Sequence, residues 1–160
     1  MRVELVEPFV RAGFLVIETV LNNRPTRGTL SMRRTVATTQ QITIELGVDG
    51  VVSGNVLYGM SMTTAQKIAS VMLGTPLASM DEMAWSAVSE LANIITGRAT
   101  QLLNDNGYEC NISTPSIIKG WNVEVTVAVP ALVVPMVTVC GSLEINAALY
   151  ETGQAQAAAA

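Results

Sequence analysis

The most informative segment of the chain is Ser79–Asp105, SMDEMAWSAVSELANIITGRATQLLND, because its apolar residues recur at the spacing of an α-helix. If each residue is turned by about 100° from the one before it, four further apolar side chains fall within roughly 40° of Val88 and form one stripe with it. The stripe consists of Val88, Ala92, Ile95, Ala99 and Leu102. Ser79 and Glu82 have the spacing of a capping box, which predicts the start of the helix, and Gly107 predicts its end near Asp105.

The opposite side of this helix carries a narrow polar row of Ser86, Glu90, Asn93 and Gly97. Glu90 and Asn93 are neighbours at i, i+3, so a carboxylate and an amide project together. The carboxylate can accept from a cation, and the amide can donate and accept at once and so hold a water molecule in a chosen direction. Taken alone, a polar row is also typical of an ordinary solvated helix face.

The segments before the long helix predict a helix, a weak strand, a hairpin and a second helix. In chain order these segments are Glu7–Leu21, Gly28–Gln40, Ile42–Leu46, Val51–Tyr58 and a helix capped by Thr63 or Thr64 that ends at Gly74. Pro8 suits the first turn of the first helix, where a missing N–H costs little. Gly47–Gly50 is predicted to be the hairpin turn.

The segments after the long helix predict three strands, Glu109–Thr114, Val123–Val139 and Ser142–Tyr150. Pro130 and Pro135 cannot donate ladder hydrogen bonds, so the longest strand must bend or lie partly at an edge. An apolar edge favours cover by a partner chain. This element order predicts one α+β domain over residues 1–152, with an antiparallel-leaning sheet packed against helices. We expect the Ala- and Gln-rich residues 153–160 to form a disordered tail.

Composition excludes several classes of function. The chain has 160 residues, of which 49% are hydrophobic and 14% charged, which excludes general disorder. A net charge of −4 with 9 Lys and Arg argues against nucleic-acid binding, which needs a concentrated basic surface. Histidine is absent, which excludes Ser-His-Asp triads, Cys-His dyads and histidine metal sites. Catalysis would have to use carboxylates, amides, hydroxyls or a group from a partner.

The cysteines and the apolar segments predict where the protein resides. Cys110 and Cys140 form no Cys-x-x-Cys motif and are too few for a zinc site, which indicates buried free thiols in a reducing cytoplasm. Met1–Val10 lacks the basic start and apolar run of a targeting signal. Val125–Val139 is too short for a membrane-spanning helix. We therefore expect a soluble, cytoplasmic protein that binds neither membrane nor nucleic acid.

The polar row also carries a resemblance. Ser86-x-x-x-Glu90-x-x-Asn93, followed after 21 residues by Pro115, resembles the signature of the CheC/CheX/FliY family of chemotaxis phosphatases. The similarity runs from about Leu5 to Tyr150. The chain carries one Glu-x-x-Asn, as CheX-like members do, whereas CheC-like members typically carry two. Further segments that resemble the family's helices and closing strands are Thr64–Gly74, Ser89–Gly97, Val133–Pro135 and Gly141–Asn146.

This resemblance implies a fold and a reaction. The fold would be a mostly antiparallel sheet packed against two central helices plus an N-terminal helix. The reaction would be hydrolysis of the aspartyl phosphate of a CheY-type response regulator, in chemotaxis or another two-component pathway. Asn93 would orient the attacking water and Glu90 would pair with the regulator's active-site lysine. Ser86 and Gly97 would flank the partner-binding face.

The resemblance further implies that the chain binds no metal or cofactor of its own, because the regulator supplies Mg²⁺, and that two copies form a dimer through β-strands. Two alternatives stay open. One is a non-catalytic, regulator-binding adaptor like the flagellar switch protein FliM, which shares the general fold and lacks the motif. The other is a plain dimerisation domain. An intact Glu90 and Asn93 pair favours the phosphatase, whereas binding without turnover would favour the adaptor.

Overall fold

The computed structural model describes residues 2–34, 36–38 and 40–153, and within them the chain forms three helices and ten strands. The predicted tail lies outside the described residues from position 154 onward. The helices are α1 (Val3–Leu21), α2 (Met62–Leu73) and α3 (Glu82–Asp105). The strands are β1 (Thr26–Arg27), β2 (Ser31–Arg33), β3 (Val36–Thr38), β4 (Ile42–Gly50), β5 (Val52–Met60), β6 (Cys110–Ile112), β7 (Ser116–Lys119), β8 (Val123–Val125), β9 (Ala131–Thr138) and β10 (Gly141–Glu151).

Eight of these strands form one sheet in the order β1-β9-β10-β5-β4-β6, with β2 also paired to β9 and β7 to β4. Strands β3 and β8 form a separate ribbon. Every one of these pairs is antiparallel. The predicted α+β class, with an antiparallel sheet and helices packed against it, is therefore confirmed. Each predicted group of three strands in fact contains additional short strands.

The main core lies between the three helices and one face of the sheet. Alternate residues of a strand point to the same face, so β4, β5 and β10 each supply every second side chain to this core. These include Ile42, Ile44, Leu46, Val56, Tyr58, Met60, Leu143, Ile145 and Ala147. On the other face, Leu57, Ala131 and Ala148 form a small cluster covered by Val125, Val127 and Val129. The sheet is thus buried on both sides of its centre.

The hairpin between β4 and β5 is confirmed, but its predicted turn at Gly47–Gly50 is wrong. Strand β4 runs through these residues to Gly50, and β5 begins at Val52. Val48 pairs with Gly54 on one side and with Ile112 on the other, so the backbone there belongs to the ladder. The local composition of the segment, which contains two glycines, predicts a turn. Strand β6, which follows later in the chain, pairs with the segment and keeps its backbone extended.

The helix starts also differ from the prediction. Helix α1 begins at Val3, so Pro8 lies inside the helix rather than in its first turn. Helix α2 is capped by Ser61 and not by Thr63 or Thr64. At α3 the cap is Asp81 rather than Ser79, and its carboxylate accepts a hydrogen bond from the Ala84 N–H at 2.8 Å. The starts of α2 and α3 each contain several Ser, Thr or Asp residues, and all of these residue types can cap a helix.

The predicted long strand Val123–Val139 is two strands, β8 and β9, with Pro130 between them. Pro135 stays inside β9 because its missing donor faces the gap between β1 and β2, where its carbonyl accepts from the Gly28 N–H at 2.8 Å. Strand β9 pairs with β10 on one side and with β1 and β2 on the other. The predicted strand is thus interrupted at Pro130, whereas β9 does not lie at an edge of the sheet.

Cys110 and Cys140 are free and buried, as predicted. Burial raises the pKa of both thiols above the ordinary value, because the charged thiolate is poorly solvated there. Within the part of the chain that the structure describes, none of the helices has the length and apolar character needed to cross a membrane.

Gly54 provides a test of the close contact between β5 and β10. It has a φ of +139°, and a Cβ atom there would lie 1.9 Å from the Ala148 carbonyl oxygen. We expect Gly54→Ala to lower the free energy of unfolding by about 3 kcal/mol or more, because backbone must move. The matched control is Gly74→Ala at φ +69°, where nothing lies within 4 Å and only the backbone cost of about 1–2 kcal/mol applies. Equal urea midpoints for the two variants would contradict this contact.

Candidate functional site on helix α3

The buried side of α3 is close to the predicted stripe. Val88, Ala92, Ile95 and Ala99 are all buried in the main core. Leu102 is only half-buried, and its neighbour Leu103 takes the core position instead. The buried arc is also wider than the stripe, because both the sheet and the helices α1 and α2 contact α3. The remaining arc of the helix faces solvent.

The polar row lies on this solvent-facing arc. Ser86 and Glu90 are exposed, and Asn93 and Gly97 are half-buried. Among the residues that the structure describes, neither the Glu90 carboxylate nor the Asn93 amide has a side-chain hydrogen bond or an ion pair. The four residues are thus brought onto one accessible face, and the two functional groups are unengaged in the folded chain.

The segment after β6 flanks this row. A Cβ atom at Gly97 would lie 3.9 Å from the Ile112 side chain, so β6 borders the row on this side. Pro115 lies three residues beyond Ile112, in the connection between β6 and β7. That connection is fixed to β4, since the Gly47 N–H donates to the Ser113 hydroxyl at 2.8 Å. The proline of the sequence motif therefore lies on the same edge of the sheet that borders α3.

In the described part of the chain, two clefts border α3 in addition to one at its C-terminal end, and the sequence predicted none of them. A cleft of about 630 Å³ lies between the end of α2 and the start of α3, and we call it the α2–α3 cleft. Its lining consists of Leu73, Glu82, Met83, Ser86, Ala87 and Glu90. A smaller groove of about 390 Å³, the α1–α3 groove, is lined by Leu15, Val16, Thr19, Val20, Ile94 and Arg98. The one available signal was Met83, an apolar residue on the polar side of the helix.

A buried hydrogen-bond chain fixes α3 to the sheet behind the row. The Tyr58 hydroxyl on β5 lies 2.7 Å from the Thr96 hydroxyl on α3. Thr96 donates its proton to the Ala92 carbonyl at 2.8 Å, so Tyr58 must be the donor to Thr96. Burial raises the pKa of the Tyr58 phenol, which keeps it protonated. Thr96 lies within one turn of Asn93, and this contact therefore holds the helix close to the site.

The functional groups of the row are one carboxylate and one amide. Glu90 supplies a carboxylate and Asn93 an amide, and both project from a helix of 24 residues. Among the described residues, no group of three or more Cys, Asp or Glu side chains is arranged to hold a metal ion. A helix that is packed along its length fixes such groups better than a loop does. The arrangement can orient a small polar molecule or accept a cation from a second protein.

The sequence of the chain matches the model of a known protein family. The sequence model of the family described as "Chemotaxis phosphatase CheX" matches residues 42–137. The match spans β4 to β9 and includes the whole of α3 with its polar row. The chain belongs to this family.

Individual CheX relatives agree with the family match. The chain is 26% identical over 126 residues to the CheY-P phosphatase CheX of Thermotoga maritima, and the match covers 78% of this chain and 81% of that protein. A CheC-like superfamily protein from Shewanella sp. PV-4 has a TM-score of 0.83 at 25% identity, with coverages of 94% and 99%. The CheX of the CheX–CheY–BeF3–Mg²⁺ complex from Borrelia burgdorferi has a TM-score of 0.73 at 24% identity, with coverages of 94% and 100%. The predicted family and fold are therefore confirmed.

The contact that holds α3 can be tested by a double-mutant cycle. We expect Tyr58→Phe to lower the free energy of unfolding by about 1 kcal/mol, because one hydrogen bond is lost. Thr96→Val should cost about 2 kcal/mol, since it leaves the buried Tyr58 hydroxyl without a partner. The double variant should cost clearly less than the sum, because the two side chains act on each other. Additive losses in urea unfolding would show that the two hydroxyls do not interact.

Proposed function

We propose that this chain is a phosphatase that hydrolyses the aspartyl phosphate of a CheY-type response regulator. The observation that carries the proposal is the pair of Glu90 and Asn93, which lie on one accessible face of α3 with both functional groups unengaged. The family match and the relative described as a CheY-P phosphatase support it. The pathway would be chemotaxis or another two-component circuit.

In this proposal, the Asn93 amide orients the attacking water. Phosphoryl transfer requires a water in line with the phosphorus and stabilisation of charge on the phosphoryl oxygens. An amide can accept a hydrogen bond from the water with its oxygen and donate one with its nitrogen, so it fixes the direction of the lone pair that attacks. Removing the entropy of placing this water supplies several kcal/mol of the barrier. Asn93 is half-buried, which restricts the positions its side chain can take.

Glu90 is the residue to which the proposal assigns docking on the regulator's active-site lysine. It is exposed, and it lies one turn before Asn93, so it would contact the regulator beside the phosphoryl group. The proposal leaves Mg²⁺ to the regulator, and in the related Borrelia burgdorferi complex BeF3 and Mg²⁺ accompany CheX and CheY. The phosphatase would then supply only the water-positioning amide and a docking carboxylate.

Ser86 and Gly97 mark the two ends of the proposed contact face. Their small side chains leave the helix backbone open to close approach by a partner, which a larger residue would block. Gly97 would tolerate a Cβ atom, since the nearest atom would be at 3.9 Å. A glycine in a helix interior costs about 1 kcal/mol relative to alanine. The fold itself does not require glycine there, and this supports a role in the contact with a partner.

The decay of a phosphorylated CheY-type regulator with Mg²⁺ tests the proposal. We expect the wild-type chain to accelerate decay and Asn93→Ala to lose about 100-fold or more in rate while binding survives. Glu90→Ala should lose both binding and rate, because a charge pair across the contact is broken. Matched controls are Asn111→Ala and Glu18→Ala, which remove the same groups from exposed positions on β6 and α1.

Two outcomes of this experiment would contradict the proposal. Equal rates for the wild type and Asn93→Ala would remove the water-positioning role. Binding without any acceleration of decay would favour the non-catalytic adaptor. The melting temperatures of Glu90→Ala and Asn93→Ala should stay close to that of the wild type, since neither side chain bonds within the described chain. A large drop would mean that lost activity reflects lost folding.

We further propose that two copies form a dimer at the sheet edge made by β1 and β2. Leu30, Met32 and Val137 are exposed apolar residues at this edge, where further cover would be favourable. We expect light scattering to give twice the chain mass, and Met32→Asp to give a monomer of unchanged melting temperature. A monomeric wild type at micromolar concentration would contradict the proposal.

A further inference from the structure

The α2–α3 cleft is not used by the proposed chemistry, although it shares two residues with the polar row. Glu90 and Ser86 belong to its lining as well as to the row. The other lining residues include Leu73, Met83 and Ala87, so the cleft presents apolar side chains of both helices beside its polar groups. A cleft that shares a wall with the proposed contact face is open to the same partner.

Met83 is the most exposed apolar residue of this cleft. Its side chain is 66% exposed, which is unusual for a residue of this size and apolar character on a helix that is otherwise packed. Met83 lies seven residues before Glu90, so it is on the same side of α3, about 10 Å away along the helix axis. Methionine is unbranched and polarisable, and it adapts well to a partner surface.

A partner docked on the polar row is large enough to reach Met83. A standard interface covers about 800 Å² on each protein, which corresponds to a disc with a radius of roughly 16 Å. A disc centred between Glu90 and Asn93 reaches Met83, since the rise from Met83 to Asn93 is about 15 Å. A regulator that brings its phosphoryl group to Asn93 therefore covers the cleft or extends away from it, over the α1–α3 groove.

We propose that the α2–α3 cleft is a docking subsite that receives an apolar side chain of the response regulator and sets affinity rather than rate. This inference rests on the proposed function. The α2–α3 cleft is favoured over the α1–α3 groove because it is larger, about 630 Å³ against about 390 Å³. It also contains Glu90 and Ser86, whereas the α1–α3 groove contains no residue of the polar row. Burial of Met83 and Leu73 by the partner would stabilise the complex in its ground and transition states alike.

The test uses a CheY-type regulator carrying beryllium fluoride and Mg²⁺ for binding, and the phosphorylated regulator for turnover. We expect Met83→Ala to raise both Kd and KM about tenfold, as truncation of a contact residue does, with kcat changed less than twofold. Met83 is exposed, so the melting temperature should not change. A variant of a docking residue should bind more weakly and keep its kcat. A variant of Asn93 should instead lose kcat, so the two roles can be distinguished.

Two controls of similar exposure accompany this variant. Leu15→Ala, at 48% exposure, removes an apolar side chain from the α1–α3 groove. Val51→Ala, at 49% exposure, removes one from the turn between β4 and β5, beside the far end of α3. Both should leave Kd and KM unchanged within twofold. An unchanged Kd for Met83→Ala, or a raised Kd for Leu15→Ala alone, overturns the inference.

The failure of this inference can be told apart from the failure of the proposed function. If the wild type accelerates decay and Met83→Ala has wild-type Kd and KM, the phosphatase stands and the subsite falls. If the wild type binds and does not accelerate decay, a weaker Kd for Met83→Ala still supports the subsite for an adaptor. If the wild type neither binds nor accelerates decay with any CheY-type regulator, both are overturned.

Discussion

The packing of α3 on the sheet is the constraint on which the rest of the structure depends. Its buried arc meets β4, β6 and the helices α1 and α2, and the Tyr58 to Thr96 hydrogen bond lies inside that contact. Apolar packing alone permits small rotations of a helix about its axis, whereas a buried donor and acceptor must meet at one rotation. The same rotation determines which residues of α3 face solvent. The accessible row is thus a consequence of the core.

The fold could be predicted from sequence where the deciding signal is local. Val88, Ala92, Ile95 and Ala99 repeat at helical spacing, so the helix and its buried face follow from the sequence. Gly47–Gly50 shows the opposite case, because its backbone is extended by pairing with β6, more than sixty residues later in the chain. Leu102 belongs to the predicted stripe and is only half-buried, whereas Leu103 is buried, and only the position of the neighbouring elements decides between them.

One part of the candidate site could be predicted from the sequence and another part could not. Glu90 and Asn93 share a face because of their spacing within one helix, and this could be derived from the sequence. The α2–α3 cleft could not, because Leu73 and Met83 belong to different helices whose separation depends on the connection at residues 74–81. In the sequence, Met83 is an apolar residue on the polar side of an amphipathic helix. Its place in a cleft becomes evident only when the position of α2 is known. A residue that breaks a local pattern is best interpreted after its remote neighbours are known.

The stability of the fold does not depend on the side chains of the polar row, so a similar fold does not by itself imply the same activity. The side chains of Glu90 and Asn93 make no bond within the described chain, so the core gains nothing from them. A chain could replace both and keep the same helix, sheet and clefts. In the proposed function, catalysis depends on these two side chains themselves, whereas binding of a regulator also depends on the surrounding surface. The same fold is therefore physically compatible with the presence or the absence of phosphatase activity.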